Sequence, residues 1–378
     1  MTDPTSLRKA ADTFPDQASR PVTAGESDRK TSAGKTGRPG SRPAGLLIGF
    51  LMLSLTVSAL TSCGDGDREE AADHDQPVEI ILAHAMHLTH PVSVAMDRMA
   101  DNVEEYSGGQ VTMTIYPAGQ LGGERKLLEL IQIGAIGMTK VSTATLENIV
   151  PAMRVFSMPY LFRDKEHSFN VLFGPLGEEL LLEGERYRLR GVGYYDAGSR
   201  SLYTTNRPVH TPEDLQGQKI RVMESVIAMQ LMRTLGGSPT PLSYGELYTA
   251  FQGGIVDGAE NNPPSFYTSR HYEVCNYYTL NEHTTIPDIL VMDSRLWERL
   301  TDQQQEWLQR AVDESIEFQI ELWRESEEES MQAFRDAGVE IIHPDKEPFR
   351  QAVQPLYDDV RRRNPELYNW VERIRNVE

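Results

Sequence analysis

No glycine or proline interrupts the chain between Asp302 and Ala337, and this one run limits the folds open to everything around it. Charged residues alternate there with Trp307, Val312, Ile316, Ile320, Trp323 and Phe334. At 1.5 Å per residue an unbroken helix over this run spans on the order of 50 Å, more than one small lobe measures. Beside two α/β units it would run along both and serve as their common backbone. A break near Glu325 to Ser330 would leave two ordinary helices instead. The 378 residues have room for two lobes even after an amino-terminal segment is set aside.

Strands alternate with helices ahead of that run. Val78–Ala83 is a short β-type segment, and Pro91 opens a helix whose Val92, Met96, Met99 and Val103 recur at helical spacing. Ser107-Gly108-Gly109 stops it before a second strand, Val111–Tyr116, which Pro117 ends. This β-α-β order predicts a parallel sheet. A helix through Leu127, Leu128 and Ile131 follows, with Glu124 near its first turn, where a carboxylate also complements the helix dipole. Gly134–Ser142 reads as helix end, turn and strand, with Lys140 in an otherwise uncharged run; an edge lysine that snorkels to solvent is the ordinary reading. Phe156–Phe162 is expected to be core beneath the first lobe.

Gly191–Tyr195 reads as a strand, Asp196–Arg200 as a turn where the chain could cross between lobes, and Ser201–Thr205 as the next strand. Thr211-Pro212-Glu213-Asp214 is a helix start, followed by the apolar-flanked segment Gly217–Met223, which carries Arg221. Helical patterns over Met223–Leu235 and from Ser243, through Tyr244, to Gly253 lead to a strand and polar turn, Ile255–Asn262. Val339–Ile342 is a last strand before a helical tail punctuated by Pro355 and Pro365. There is no internal repeat.

The amino-terminal residues carry an address. Residues 1–43 are rich in Pro, Gly, Ser and Thr without apolar periodicity and are read as a disordered extension. Ala44–Leu60 is almost wholly apolar and follows Lys35, Arg38 and Arg42, the layout of an export signal. Its end, Leu60-Thr61-Ser62-Cys63-Gly64, resembles the lipobox of bacterial lipoproteins, with Cys63 lipidated after cleavage; an uncleaved transmembrane anchor is the competing reading. Residues 64–77 form an acidic tether, so the body is expected to be exported and held at a membrane surface by the lipid on Cys63. With Cys63 so used, Cys275 lacks a partner and reads as a small buried hydrophobe.

A formal charge of −19 excludes an electrostatic nucleic-acid partner. No CxxC, HExxH or GxSxG occurs, so motif signals for metal, redox or serine-hydrolase chemistry are missing and no cofactor is expected. His84, His87 and His90 lie three residues apart, but no clustered carboxylate completes a metal set, and His283 reads as a hydrogen-bonded structural histidine. A cationic site in so acidic a chain must be built from particular arginines. A guanidinium presents a planar fork that matches a carboxylate through two charge-assisted hydrogen bonds. Arg221 and Arg200, with an amide from Asn261, could form such a clamp; taken singly, an arginine on a strand edge is more often a surface ion-pair partner.

Four blocks weigh on that choice: Tyr116-Pro117-Ala118-Gly119-Gln120-Leu121-Gly122, Gly198-Ser199-Arg200, Leu215–Val222 and Val256–Asn261. In order and spacing they resemble the solute-binding subunit of tripartite ATP-independent periplasmic (TRAP) transporters, from about Val78 to Pro355. The resemblance implies an α/β fold of two lobes, a hinge and a long helix spanning both, with residues 78–197 plus about 287–325 in one lobe and 198–286 plus about 326–378 in the other. It implies that Arg221 binds the carboxylate of a small organic acid, that Arg200 and Asn261 assist, and that Tyr244 lines the cleft. Glu124, Lys140 and Ser142 fall at positions that meet the distal part of the ligand. That set suits a polyhydroxylated acid better than an aliphatic keto acid. Met138–Ser142 and Gly258–Pro263 are similar to the hexuronate and sugar-acid branch. The implied role is capture without chemistry and delivery to membrane permease subunits. A sensor docking a membrane kinase or chemoreceptor, or an enzyme acting on sugar acids, are the alternatives.

Overall fold

The computed structural model describes residues 76–378, so the apolar segment, Cys63 and nearly all of the tether lie outside the described residues. β1 (Val78–Ala83), β2 (Val111–Tyr116), β3 (Met138–Ser142), β4 (Leu189–Tyr195) and β10 (Asp288–Asp293) form a five-stranded sheet in the order β2-β1-β3-β10-β4. β1 pairs with β2 in parallel from Val78 opposite Val111 to Ala83 opposite Tyr116, as the β-α-β order predicts. The intervening helix, Pro91–Ser107, is capped by His90 and closed by Gly108 at φ 60°. Its Val92, Met96, Met99 and Val103 bury against Ile80 and Leu82 of β1. One strand departs from the parallel expectation: β10 is antiparallel to both β3 and β4, because it enters this sheet from the other lobe.

The second sheet has six strands in the order β11-β9-β5-β8-β6-β7. These are β5 (Ser199–Thr204), β6 (Lys219–Val222), β7 (Ser238–Pro241), β8 (Gly258–Asn261), β9 (Tyr277–Thr285) and β11 (Glu340–Ile342). β5 begins two residues earlier than the local pattern suggests. Ser199 and Arg200 pair with Thr285 and Thr284 of β9, and a register shift follows between Arg200 and Leu202. Arg200 is therefore a strand residue beside a bulge rather than part of the turn. β7 carries Pro239 and Pro241 and is tolerated because it lies at the sheet edge.

The chain passes between the sheets at Asp196–Gly198, at Ile286-Pro287 and along the long helix. That helix runs unbroken over Asp302–Asp336, with Thr301 and Gln304 capping each other reciprocally at its start. In its first half Ile316 presses on Gly193 of β4, where an added Cβ would lie 2.7 Å from Ile316 Cδ1. Near its carboxyl-terminal end Phe334 meets Phe266 edge-on at 4.8 Å, within the core of the second sheet. Between them Gln319 accepts a hydrogen bond from Asp196 N at 2.9 Å and donates one to Asp196 O at 2.8 Å. One buried amide thus holds both backbone groups of a crossover residue. The tail helices, Glu347–Ala352, Gln354–Arg363 and Pro365–Arg375, return toward the first sheet's loops: Tyr357 Oη donates to Pro159 O, and Arg163 to Arg375 O and Val377 O. Among the described residues no helix is long and apolar enough to cross a membrane.

Candidate functional site

β6 presents Arg221 to one side while Ile220 and Val222 turn into the core, the period-two alternation of a strand. Arg221 is 3% exposed. Its Nε donates to Leu242 O at 2.9 Å, and neither terminal nitrogen has a partner among the described residues. Burial is the main influence on the guanidinium and pushes its pKa down, with Glu260 working against that. A guanidinium stays protonated even so. The site therefore holds a desolvated cation with an unused fork.

Arg200 is buried too, but its nitrogens are occupied. Nε donates to Glu260 Oε2 at 2.5 Å, one terminal nitrogen to Glu260 Oε1 at 3.0 Å and the Glu260 carbonyl at 2.8 Å, and the other to Asn261 Oδ1 at 2.7 Å. Burial opposes the charge, and Glu260 outweighs it, so the pKa of Arg200 is raised. Because an arginine can only donate, Asn261 must turn its oxygen to Arg200. That oxygen also accepts from Asn262 N at 3.0 Å. The Asn261 Nδ2 group is left as a donor beside Arg221.

Across the cleft, Lys140 is in β3, whose residues are all buried between β1 and β10. It is 1% exposed, which corrects the reading of a snorkelling edge lysine: β3 is not an edge. Lys140 Nζ lies 3.0 Å from Asp288 Oδ2 and 3.2 Å from Glu124 Oε1. Burial works against the ammonium, but the two carboxylates prevail and raise its pKa. Glu124 is the first residue of the helix Glu124–Gln132, yet it does more than complement that helix: Oε1 also accepts from Ser142 N at 3.1 Å and Oε2 from Thr145 Oγ1 at 2.8 Å. Ser142 caps the next short helix through Ala144 N. Tyr244, in a short turn after β7, anchors its hydroxyl on Ser265 O at 3.0 Å.

These seven residues, Arg221, Arg200, Asn261, Tyr244, Glu124, Lys140 and Ser142, line one cleft. Asp288, Thr145, Asn262 and Ser265 line it as well and have no counterpart in the sequence reading. Asp288 opens β10, directly after the crossover at Pro287. A lone carboxylate after an Ile-Pro pair carries no local signal. The same holds for Glu260, whose value lies in its contact with Arg200.

The lobes meet around the cleft. His90 Nδ1 accepts from Val92 N at 3.3 Å, which places the ring proton on Nε2, 3.2 Å from Ser265 Oγ in the other lobe. Burial first, then Lys140, depresses the His90 pKa to about 3, so it is neutral. Glu147 accepts from Ser225 Oγ at 2.7 Å and Ile227 N at 3.2 Å. His283 is buried and hydrogen-bonded to Asn281 Oδ1 at 3.1 Å, a structural histidine as expected. Among the described residues no group of three or more His, Cys, Asp or Glu is placed to hold a metal. Cys275 is buried, and burial pushes its thiol pKa up.

Known proteins resemble this chain in sequence and fold. A protein of Salmonella typhimurium designated YiiZ is 42% identical over 298 residues, covering 78% of this chain and 90% of its own. A TRAP periplasmic solute-binding protein from Xanthobacter autotrophicus, solved with bound β-D-galacturonate, has a TM-score of 0.76 and 36% identity over 79% of this chain and 100% of that one. A second, from Roseobacter denitrificans with bound β-D-glucuronate, has a TM-score of 0.77 and 33% identity over 80% of this chain and 100% of that one. Residues 82–364 match the model of the family DctP, described as bacterial extracellular solute-binding protein, family 7, and the chain belongs to that family of TRAP solute-binding proteins.

Proposed function

We propose that this chain is the extracytoplasmic receptor of a TRAP transporter for a hexuronate or closely related sugar acid, which it binds without chemical change and hands to the permease subunits. One observation carries the reading: Arg221 is a buried cation with both terminal nitrogens unclaimed among the described residues, beside an Asn261 amide oriented to donate. A ligand carboxylate completes both. The ligands of the related structures, galacturonate and glucuronate, support the choice of acid. Arg200 positions Asn261, Tyr244 forms a wall, and the Glu124–Lys140–Ser142 side receives the hydroxyls. Lobe closure would bend the crossovers at Asp196–Gly198 and Ile286-Pro287, with the long helix as the shared support. The lipid anchor on Cys63 belongs to the same proposal and keeps the receptor near its permease.

Titration calorimetry with D-galacturonate and D-glucuronate, set against a C4-dicarboxylate and a branched keto acid, tests this. Tight binding of a hexuronate with unaltered ligand recovered by NMR is expected. Turnover, or preference for a keto acid, would defeat it. For the anchor, wild-type protein expressed in a lipoprotein-processing bacterium should partition to membranes, and Cys63→Ser should release it.

A further inference from the structure

We infer that the cleft selects sugar monoacids and rejects diacids of the same carbon skeleton, and that Glu124 and Asp288 on the wall facing Arg221 impose this choice. The inference rests on the sugar-acid reading and deepens it. The cations that line the cleft are Lys140, Arg200 and Arg221, and the carboxylates are Glu124, Glu224 and Asp288. Arg200 is already neutralised by Glu260 behind it, at 2.5 Å. Arg221 is spent on the first ligand carboxylate. What remains on the opposite wall is one ammonium, Lys140, held between two carboxylates at 3.0 and 3.2 Å. Burial raises the Asp288 pKa and the adjacent Lys140 ammonium opposes that. With both carboxylates ionised the wall carries a net negative charge, and the buried histidines beside it, His84 and His90, are neutral, with pKa values depressed to about 3.

The hydrogen-bonding capacity of the wall agrees with its charge. Two of the three Lys140 protons go to Glu124 and Asp288. Both Glu124 oxygens accept from protein donors. Among the described residues Asp288 Oδ1 has no partner, since Lys140 bonds to Oδ2 alone. An unused carboxylate oxygen is an acceptor waiting for a donor. A ligand hydroxyl supplies one, and a second ligand carboxylate supplies none and adds like charge. Beside groups as buried as Lys140 and Asp288 such a like-charge encounter weakens binding by roughly a hundredfold or more.

The comparison that isolates the charge is D-galactonate with galactarate, open-chain acids that differ in the terminal group alone, a hydroxymethyl or a carboxylate. D-galacturonate serves as reference for the site itself. Calorimetric titrations at neutral pH and fixed salt should show galactarate about a hundredfold weaker than galactonate, or weaker by that factor than galacturonate if the open-chain monoacid binds poorly. Asp288→Asn keeps an acceptor for Lys140 and removes the charge. It should narrow the ratio at least tenfold, a change that a purely structural role would not produce. Glu124→Gln is a second variant with the same expectation should Asp288→Asn melt too low to titrate. A wild-type ratio under tenfold, or a large ratio that neither variant narrows, overturns the inference while galacturonate binding leaves the receptor reading intact. Failure of every sugar acid to bind defeats that reading, and the selectivity with it.

Discussion

Replacing Arg221 with methionine separates what this side chain does for the ligand from what it does for the fold. In the unliganded protein its one hydrogen bond, to Leu242 O, is charge-assisted and contributes about 1.5–3 kcal/mol. Against this stands the cost of holding a cation at 3% exposure without a carboxylate partner, several kcal/mol after relaxation. The two nearly cancel, so Arg221→Met should change unliganded stability by no more than about 2 kcal/mol. Binding responds differently. Truncating one partner of a buried, hydrogen-bonded charge pair costs roughly 2–5 kcal/mol, which weakens the dissociation constant by about thirtyfold to several thousandfold. Urea unfolding without ligand, paired with calorimetric titration of D-galacturonate, reads both quantities. Undiminished affinity would refute the anchor. A stability loss above about 4 kcal/mol would refute the cancellation and make Arg221 a structural residue.

Arg200→Met should behave in the opposite way, because it strands Glu260 in the core: a loss of about 3–5 kcal/mol in urea unfolding is expected, and an unchanged midpoint would contradict the locked ion pair. Ser265→Ala removes the acceptor of the His90 contact across the lobes, so stopped-flow kinetics should show faster ligand release, about tenfold, at nearly constant association rate; slower association with unchanged release would count against a closed-state contact. Acid should destabilise the protein from about pH 6.5 downward. Burial depresses His84, His90 and His271 to about 3 and His283 to about 4, so the unfolded chain takes up these protons first and stability present above pH 6.5 is lost as pH falls. Each histidine contributes up to about 1.4 kcal/mol per pH unit, and the net loss is smaller because burial pushes Glu147 and Asp288 the other way. A urea midpoint no lower at pH 5.5 than at pH 7.5 would show that these rings are not held neutral.

Arg221 shows how far local pattern reaches into the site. The apolar flanks Ile220 and Val222 single it out in a short segment, and β6 shows that segment to be a strand with the arginine on the side opposite them. The same pattern cannot say whether a carboxylate of the protein waits there, and this is the difference between Arg221 and Arg200. Lys140 illustrates the limit from the other direction: a lysine in an apolar run reads as an edge residue until β10, from nearly 150 positions later in the chain, closes over β3 and brings Asp288 to its ammonium.

The sequence alone determined the alternation of strands and helices, a run from Asp302 free of glycine and proline and long enough for one helix, and seven of the residues that line the cleft, through turn chemistry, apolar periodicity and resemblance to a family. These are properties of neighbouring residues or of blocks in order. Only the tertiary structure decided which of two buried arginines keeps a free fork, which way the Asn261 amide faces, and that the wall opposite is negative through Asp288. Each of those depends on groups that are distant in sequence and become neighbours only when β5, β8 and β10 take their places, and in a buried site it is the nearest partner that fixes charge and hydrogen-bonding capacity.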